Sequence, residues 1–400
     1  MKILQLGKFY PIRGGVEKVM WDLTKGLSEE GVECDMLCAA LDSDPIDEED
    51  LGRISMSDDI QTITFNSRGR VLIVKALAKK AATMISPAMV RYLRRHCNKY
   101  DVIHVHHPDP MAALALLLSG YKGKVFLHWH SDILSQKLFL LLYRPLQSWL
   151  IRRADMIVGT TPVYVKSSPY LRKVQHKATF VPIGIEPIVP EEEGVKQVKK
   201  MYPGKKIVFS LGRLVPYKGF EYLIEAARLL PDDYVVLIGG KGPLEAQLKA
   251  MIAEAGLEGK IRLLGYMDRN AIPSYYGACD VFVLSSVMKT EAFGIVQIEA
   301  MSCGKPVIAT RIPGSGVSWV NKDGFSGLNV EPRDPAALSS AITSICDEKN
   351  HNLFSNNAKN HYLSMFTGKS MISKILNLYE EHPETNNGCR AVDDNILRNS

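Results

Sequence analysis

The chain has 400 residues, 46% of them hydrophobic and 23% charged, with a formal net charge of +6. That length exceeds one ordinary hydrophobic core and predicts two domains of about 150–200 residues each, while the composition excludes a disordered, collagen-like or disulfide-scaffold chain. No stretch approaches the ~20 apolar residues that a membrane-spanning helix needs, and the seven cysteines form no C-x-x-C pair or metal-ligand spacing, so a reducing, cytoplasmic setting is expected.

The N-terminal run "KILQLG" (2–7) reads as a strand and is too short for the apolar core of a signal peptide. A Gly14-Gly15 loop follows, then a helix in which Val16, Val19, Met20, Leu23 and Leu27 recur at helical spacing, stopped by Gly31. Short β-type runs then alternate with helical stretches: "VECDMLCA", "DVIHVHH", "KVFLHWH", "DMIVGTT" and "ATFVPIG". The acidic "LDSDPIDEED" (41–50) contains a D-x-D of the kind that holds a divalent metal in some enzymes; in this charge-rich setting it reads as a solvated loop.

Charge is unevenly spread along this part of the chain. Residues 1–65 carry an excess of eight acidic side chains, 66–187 an excess of fourteen basic ones, and 188–400 balance. Within the basic stretch, 69–96 and 134–154 mix Lys and Arg with apolar residues, as helices lying on an anionic membrane surface do. Packed helices with solvated basic faces are the alternative. No helix-turn-helix, RNP or zinc-finger spacing accompanies the charge, so no nucleic-acid partner is expected.

"IEPIVPEEEG" (185–194) breaks the alternation and reads as a linker. The pattern restarts with "KKIVFSLGRL" (205–214), "YVVLIGG" (234–240), "KIRLLGY" (260–266), "CDVFVLSS" (279–286) and "KPVIAT" (305–310). Two doubly wound α/β domains in tandem are predicted, over 1–186 and 187–364. A last helix within 365–384 is expected to pack back toward the first domain, and a polar, mobile tail covers 385–400.

In open α/β sheets ligands bind beyond the carboxyl ends of the strands. Glu291 follows the strand "DVFVLSS", and Glu299 lies about one turn into the helix that begins near Gly294. Between them the amides of Phe293, Gly294 and Ile295 stand at a helix N-terminus, an anion site by geometry and dipole. Carboxylates flanking an anion site suit a ligand with phosphate in the middle and hydroxyls at both ends, such as a nucleotide-sugar. Acids decorating an exposed helix start are the bland alternative. Arg213 and Lys218, just after the first strand of the second series, are placed to clamp a diphosphate.

These residues resemble the retaining glycosyltransferases of family four, whose GT-B architecture sets two Rossmann-like domains face to face. The resemblance rests on "EAFGIVQIE" (291–299), "GRLVPYKG" (212–219), "IGGKGPLE" (238–245), "LLGYM" (263–267), "GFSGLNVEP" (324–332) and "GGVEKVM" (14–20), and spans Met1 to about Tyr379. It implies that Arg213 and Lys218, with Gly212 and Gly240, hold the donor diphosphate. Glu291 and the backbone of Phe293, Gly294, Ile295 and Val296 would take the transferred sugar and phosphates, Glu299 the ribose, and Tyr266 and Met267 the base. Gly14 and Gly15 carry over as the loop beside the diphosphate and acceptor.

Two consecutive strands of the first domain end in histidine clusters, "HVHHPDP" (104–110) and "LHWHSDI" (127–133). No third cluster supplies a zinc spacing, so no metal is expected, and no cofactor. The resemblance puts His130 beside the transferred sugar and His107, Asp109 and Asp132 on the acceptor side, while His104 reads as a core histidine. Further likeness in "HWHSDIL", "YRPLQSWLIRRAD" and "IPGSGVSWVNKDGFSGL" points to bacterial mannosyltransferases of O-antigen or capsular polysaccharide. That implies GDP-mannose as donor, UDP-hexoses as the alternative, a polyprenyl-diphosphate-linked or other saccharide acceptor, and a peripheral position on an anionic membrane surface.

Rival readings fare worse. No G-x-G-x-x-G follows a strand, which argues against a dehydrogenase, and "FTGKS" (366–370) lacks the first glycine of a P-loop, since residue 363 is Leu. An epimerase, a phosphorylase and a non-catalytic nucleotide-sugar binder remain as alternatives, the last disfavoured by His130.

Overall fold

The computed structural model describes residues 1–57, 60–80, 83–133 and 137–381; the tail expected over 385–400 lies outside them. The first half contributes β1 (Lys2–Phe9), β2 (Glu33–Ala40), β3 (Ile54–Ser57), β4 (Ile60–Thr64), β5 (Gly69–Lys75), β6 (Ala78–Lys80), β7 (Thr83–Ile85), β8 (Val102–His107), β9 (Lys124–Trp129), β10 (Met156–Gly159) and β11 (Ala178–Phe180). The second contributes β12 (Lys206–Leu211), β13 (Tyr234–Gly239), β14 (Ile261–Gly265), β15 (Val281–Leu284), β16 (Val307–Thr310) and β17 (Gly327–Val330).

Nine strands form the first sheet in the order β11-β10-β9-β8-β1-β2-β5-β4-β3, and six form the second in the order β14-β13-β12-β15-β16-β17. The second is parallel throughout. Strands such as "VIHVHH" and "YVVLIG" are buried along their whole length because helices cover both faces, so they read as continuous rather than alternating runs. In each sheet the order reverses beside the first strand, at β1/β8 and at β12/β15. A crevice opens past the strand ends at such points.

One sequence expectation fails here. Residues 69–96, read as a basic helix, are mostly β5 and the β6–β7 hairpin; only Pro87–His96 is helical, capped by Ser86, whose hydroxyl accepts from Met89 N. The β-branched "VLIV" pairs in parallel with β2, and antiparallel β4 and β3 extend the edge. Among the described residues no helix is long and apolar enough to cross a membrane.

The halves share a core. The helix Gly368–Glu381 leaves the second half and lies along the helix Gly15–Glu29, so close that a Cβ on Gly26 would come within 1.9 Å of Ile372 Cδ1. Its buried Met371, Ile375 and Tyr379 join Ile3, Leu23 and Phe126 in one apolar cluster. Each such fully buried side chain is worth about 1.5–3 kcal/mol.

Candidate active site

Two loops of the second half converge at its switch point. After β12 the chain makes a short 3-10 turn, Pro216–Lys218; after β15 it runs to Gly294 and the helix Ile295–Ser302. Val287 N donates to Tyr217 O at 2.8 Å, and Ser285 Oγ to Lys218 O at 3.0 Å, which ties the loops together. Lys218 Nζ consequently meets Glu291 Oε2 at 2.6 Å, with both side chains nearly buried. Ser286 Oγ donates to the same carboxylate at 3.0 Å. Burial works against the Lys218 charge, yet Glu291, Tyr217 and Glu299 outweigh it and hold the ammonium above the usual lysine range.

Two glycines are required by this geometry. Gly294 caps the helix at φ 75°, where a Cβ would come within 2.6 Å of Leu284 Cδ2. Gly240 sits at φ 129°, where a Cβ would strike Gly212 O at 1.9 Å, so the loops after β12 and β13 touch backbone to backbone. The amides of Gly294, Ile295 and Val296 have no acceptor among the described residues, as a helix start leaves them. Phe293 is buried beside them.

Glu299, half-buried on the same helix, accepts from Tyr276 Oη at 2.6 Å. Burial pushes its carboxyl above the usual glutamate range, and Lys18 of the first half is among the cations that pull it back. Arg213 is exposed with no ion partner among the described residues. Tyr266 is 67% exposed, whereas Met267 is buried against Gly239.

The first half closes over these loops. A Cβ on Gly15 would reach within 2.9 Å of Ile295 Cδ1, and Gly14 packs on the Glu17 carboxylate. Arg269 donates to Ile12 O, and Ser167 Oγ to Gly314 O at 2.7 Å. Lys289, two residues before Glu291, bridges to Asp132 Oδ2 at 3.0 Å and to Ser167 O at 3.2 Å, with its ammonium 4.7 Å from the Tyr164 ring centroid.

All three acceptor-side residues are therefore corrected. Asp132 is fully buried and spent on Lys289, Trp129 Nε1 (2.9 Å) and Ser168 Oγ (2.6 Å), which makes it a tie between the halves. Asp109 caps the helix Pro110–Ser119, accepting from Met111 N and Ala112 N, and also takes Lys8 N. His107 is buried under Trp129, ring centroids 3.8 Å apart and nearly parallel, with Gln147 Nε2 at 3.4 Å.

His130 follows β9 and is only 5% exposed. It ends a stack of imidazoles built by β8 and β9: His104, His106, His128 and His130, with neighbouring centroids 4.1–5.2 Å apart. Burial holds all four well below the usual histidine range, His128 at about 3, and drops His107 to about 3 as well. Ligand atoms of His104, His106 and His128 lie within 4.8 Å of one another, the one group among the described residues that could hold a metal. Both nitrogens of His106 are already engaged, by His130 Nε2 (2.9 Å) and Gln5 Oε1 (2.7 Å), so an ion there would have to displace one of these bonds.

Sequence reading missed Lys289, Ser286, Tyr276, Gln5 and Tyr379. Ser286 and Lys289 lie just before the "TEAFG" segment, a usable signal; nothing in the sequence marks Gln5 or Tyr379.

Two Rossmann-like lobes facing each other across this cleft define the GT-B class. The family model described as glycosyl transferases group 1 matches residues 191–361, and that described as glycosyltransferase family 4 matches 13–187. The chain is 30% identical over 386 residues to the O-antigen chain mannosyltransferase C of Escherichia coli, covering 95% of this chain and 98% of that protein. It is 29% identical to the D-rhamnosyltransferase WbpZ of Pseudomonas aeruginosa, covering 92% of each. The crystal structure of Anabaena HepE in complex with UDP superposes with a TM-score of 0.75 at 20% identity, over 95% of this chain and 100% of that one, a likeness of fold. The chain belongs to the family-four, group 1 glycosyltransferases.

Proposed function

We propose that the protein is a retaining hexosyltransferase that moves mannose from GDP-mannose onto a lipid-linked saccharide in O-antigen or related surface polysaccharide synthesis. The observation that carries this reading is the Lys218–Glu291 pair at the β12/β15 switch point, beside the unbonded amides of Gly294, Ile295 and Val296. In it, Arg213 and Lys218 neutralise the departing diphosphate, and the amides take its oxygens. Glu291 bonds hydroxyls of the sugar, Glu299 the ribose, and the backbone at Tyr266 and Met267 the base. His130 bonds a ring hydroxyl from the first half, and the Gly14-Gly15 loop lies along the diphosphate.

No side chain stands as an enzymic nucleophile in this scheme. The acceptor hydroxyl attacks the anomeric carbon from the face the diphosphate leaves, the C–O bond to phosphate breaks, and the leaving phosphate oxygen takes the hydroxyl proton. Catalysis is then charge stabilisation plus positioning in a closed cleft. The mannose assignment leans on the names of the two relatives; UDP-hexose is the alternative donor. No metal takes part, so turnover is expected to survive EDTA.

The membrane reading has a surface to rest on. Leu114, Leu117 and Leu118 on the helix Pro110–Ser119, Leu141 and Leu142 on the helix Lys137–Arg153, and Leu77 and Ile85 on the β6–β7 hairpin are all exposed, on elements packed around one helix. Exposed Lys79 and Lys80 lie on the same hairpin, and exposed Arg91, Arg94 and Arg95 on the helix Pro87–His96, which packs against Pro110–Ser119. Exposed leucines and cations on neighbouring elements suit an anionic bilayer surface.

The test is a screen of GDP- and UDP-sugars with polyprenyl-linked acceptors, following nucleoside diphosphate release and the anomeric configuration of the product by NMR. Acceptor-dependent GDP release with retained configuration is expected. Binding without release would favour a non-catalytic carrier, and an inverted product would end the retaining reading.

A further inference from the structure

The histidine stack is one part of a hydrogen-bonded chain that joins both halves. Tyr379, on the last described helix, reaches the first sheet with its hydroxyl 2.5 Å from His104 Nδ1 and 3.2 Å from Gln5 Nε2. Gln5 Oε1 lies 2.7 Å from His106 Nε2, and His106 Nδ1 lies 2.9 Å from His130 Nε2. Gln5, His104 and His106 are fully buried, Tyr379 is nearly so, and none can borrow water to relax its choice of partner.

Such a chain has a direction. Gln5 turns its amide nitrogen toward Tyr379 and Cys34 Sγ, so its oxygen faces His106 and His106 Nε2 must carry a proton. A neutral imidazole holds one proton, which leaves His106 Nδ1 an acceptor and makes His130 Nε2 a donor. His130 Nδ1, with no partner among the described residues, is then a bare lone pair. At the other end Tyr379 accepts from Gln5 and donates to His104 Nδ1. Deep burial keeps the imidazoles neutral, as the one-way chain demands.

We propose that Gln5 and Tyr379 are positioning residues that fix His130 as its Nε2–H tautomer, so that Nδ1 meets the transferred sugar as a hydrogen-bond acceptor. The last helix thereby sets the proton placement at a residue it does not touch. The consequence for transfer rests on the reading that His130 faces the sugar; the tautomer itself does not.

The test is long-range proton–nitrogen correlation on protein labelled with nitrogen-15 at histidine, without any donor. Wild-type spectra should show His106 and His130 as single Nε2–H tautomers at pH 7. Tyr379→Phe removes one hydroxyl and should fold; it should give His130 a second or averaged tautomer, and Gln5→Leu should do so more completely. With donor and acceptor present, Tyr379→Phe should lower kcat about three- to tenfold, the size of one neutral hydrogen bond, with the donor KM nearly unchanged. An Nδ1–H or doubly protonated His130 in the wild type, His130 signals unmoved in Tyr379→Phe, or one tightly held metal ion per chain after dialysis would each overturn the proposal. Absence of transfer activity alongside the expected spectra would strike the sugar reading and leave the tautomer standing.

Discussion

The two sides of the cleft solve opposite electrostatic problems. The second half brings charge to the site and pairs it: the Lys218 ammonium on the Glu291 carboxylate, with unbonded amides alongside. The first half brings titratable groups and keeps them uncharged, five histidines buried so thoroughly that they stay neutral in the fold. On the function proposed above, one side meets an anion and the other presents fixed hydrogen-bonding atoms to something neutral and hydroxylated. The contrast teaches that similar folds facing one another can carry opposite electrostatics, one pairing its charges and the other suppressing them.

Acid should break the neutral side first and hardest. A buried imidazole with a lowered folded value stays unprotonated while its unfolded counterpart charges below about 6.5, so stability is present above that pH and is lost as pH falls toward 3. Each such histidine steepens the loss of stability by up to about 1.4 kcal/mol per pH unit between its unfolded and folded values. Urea midpoints across pH 7 to 4 should drop steeply; a flat profile would mean that the stack is charged or open.

The charged side is tested by Lys218→Ala and Glu291→Ala, each expected to lower turnover at least ~100-fold with circular dichroism unchanged, since in a dry site an electrostatic interaction with the reacting group is unscreened and its removal is costly. Near-normal rates in either variant would remove the pair from the site. Glu299 is subtler. Burial raises its carboxyl, so it takes up a proton at a pH above the ordinary glutamate range, and the donor KM should climb as pH falls toward that range. Glu299→Gln should flatten that climb at a constant loss of about tenfold in donor affinity. An unchanged slope in the variant would assign the pH effect elsewhere.

Smallest is the expected effect on the outer face of the first half. Leu141→Ser with Leu142→Ser should weaken binding to phosphatidylglycerol vesicles about tenfold, and wild-type binding should fade at high salt. Salt-insensitive binding would mean that the cations play no part.

Much of this arrangement was legible along the chain, unevenly. Parallel strands covered on both faces are apolar end to end, so "VECDMLCA", "YVVLIGG" and "CDVFVLSS" announce themselves, and with them the α/β class. The β3–β4–β5 edge does not, because "ISMS" and "IQTIT" are short and half-exposed, and the lysines after "VLIV" suggest a basic helix instead. Glu291 and Glu299 could be found because both follow one strand. That Lys218 would touch Glu291 depends on β12 lying beside β15, a fact of topology that no local spacing carries. His107 and Asp109 misled for a simpler reason: alternate residues of a strand face opposite ways, and a residue before Pro110 is as good a helix cap as a ligand.

The return of the final helix into the first half matters to anyone who would cut or recombine this enzyme. A break at the 185–194 linker would strip Met371, Ile375 and Tyr379 from the lobe they complete, leaving it with an open greasy seam, and would burden the other lobe with an unmatched helix. Chimaeras that exchange donor lobes between relatives should therefore be spliced at two places, the linker and a point near Thr367, so that each lobe keeps the segment it folds around.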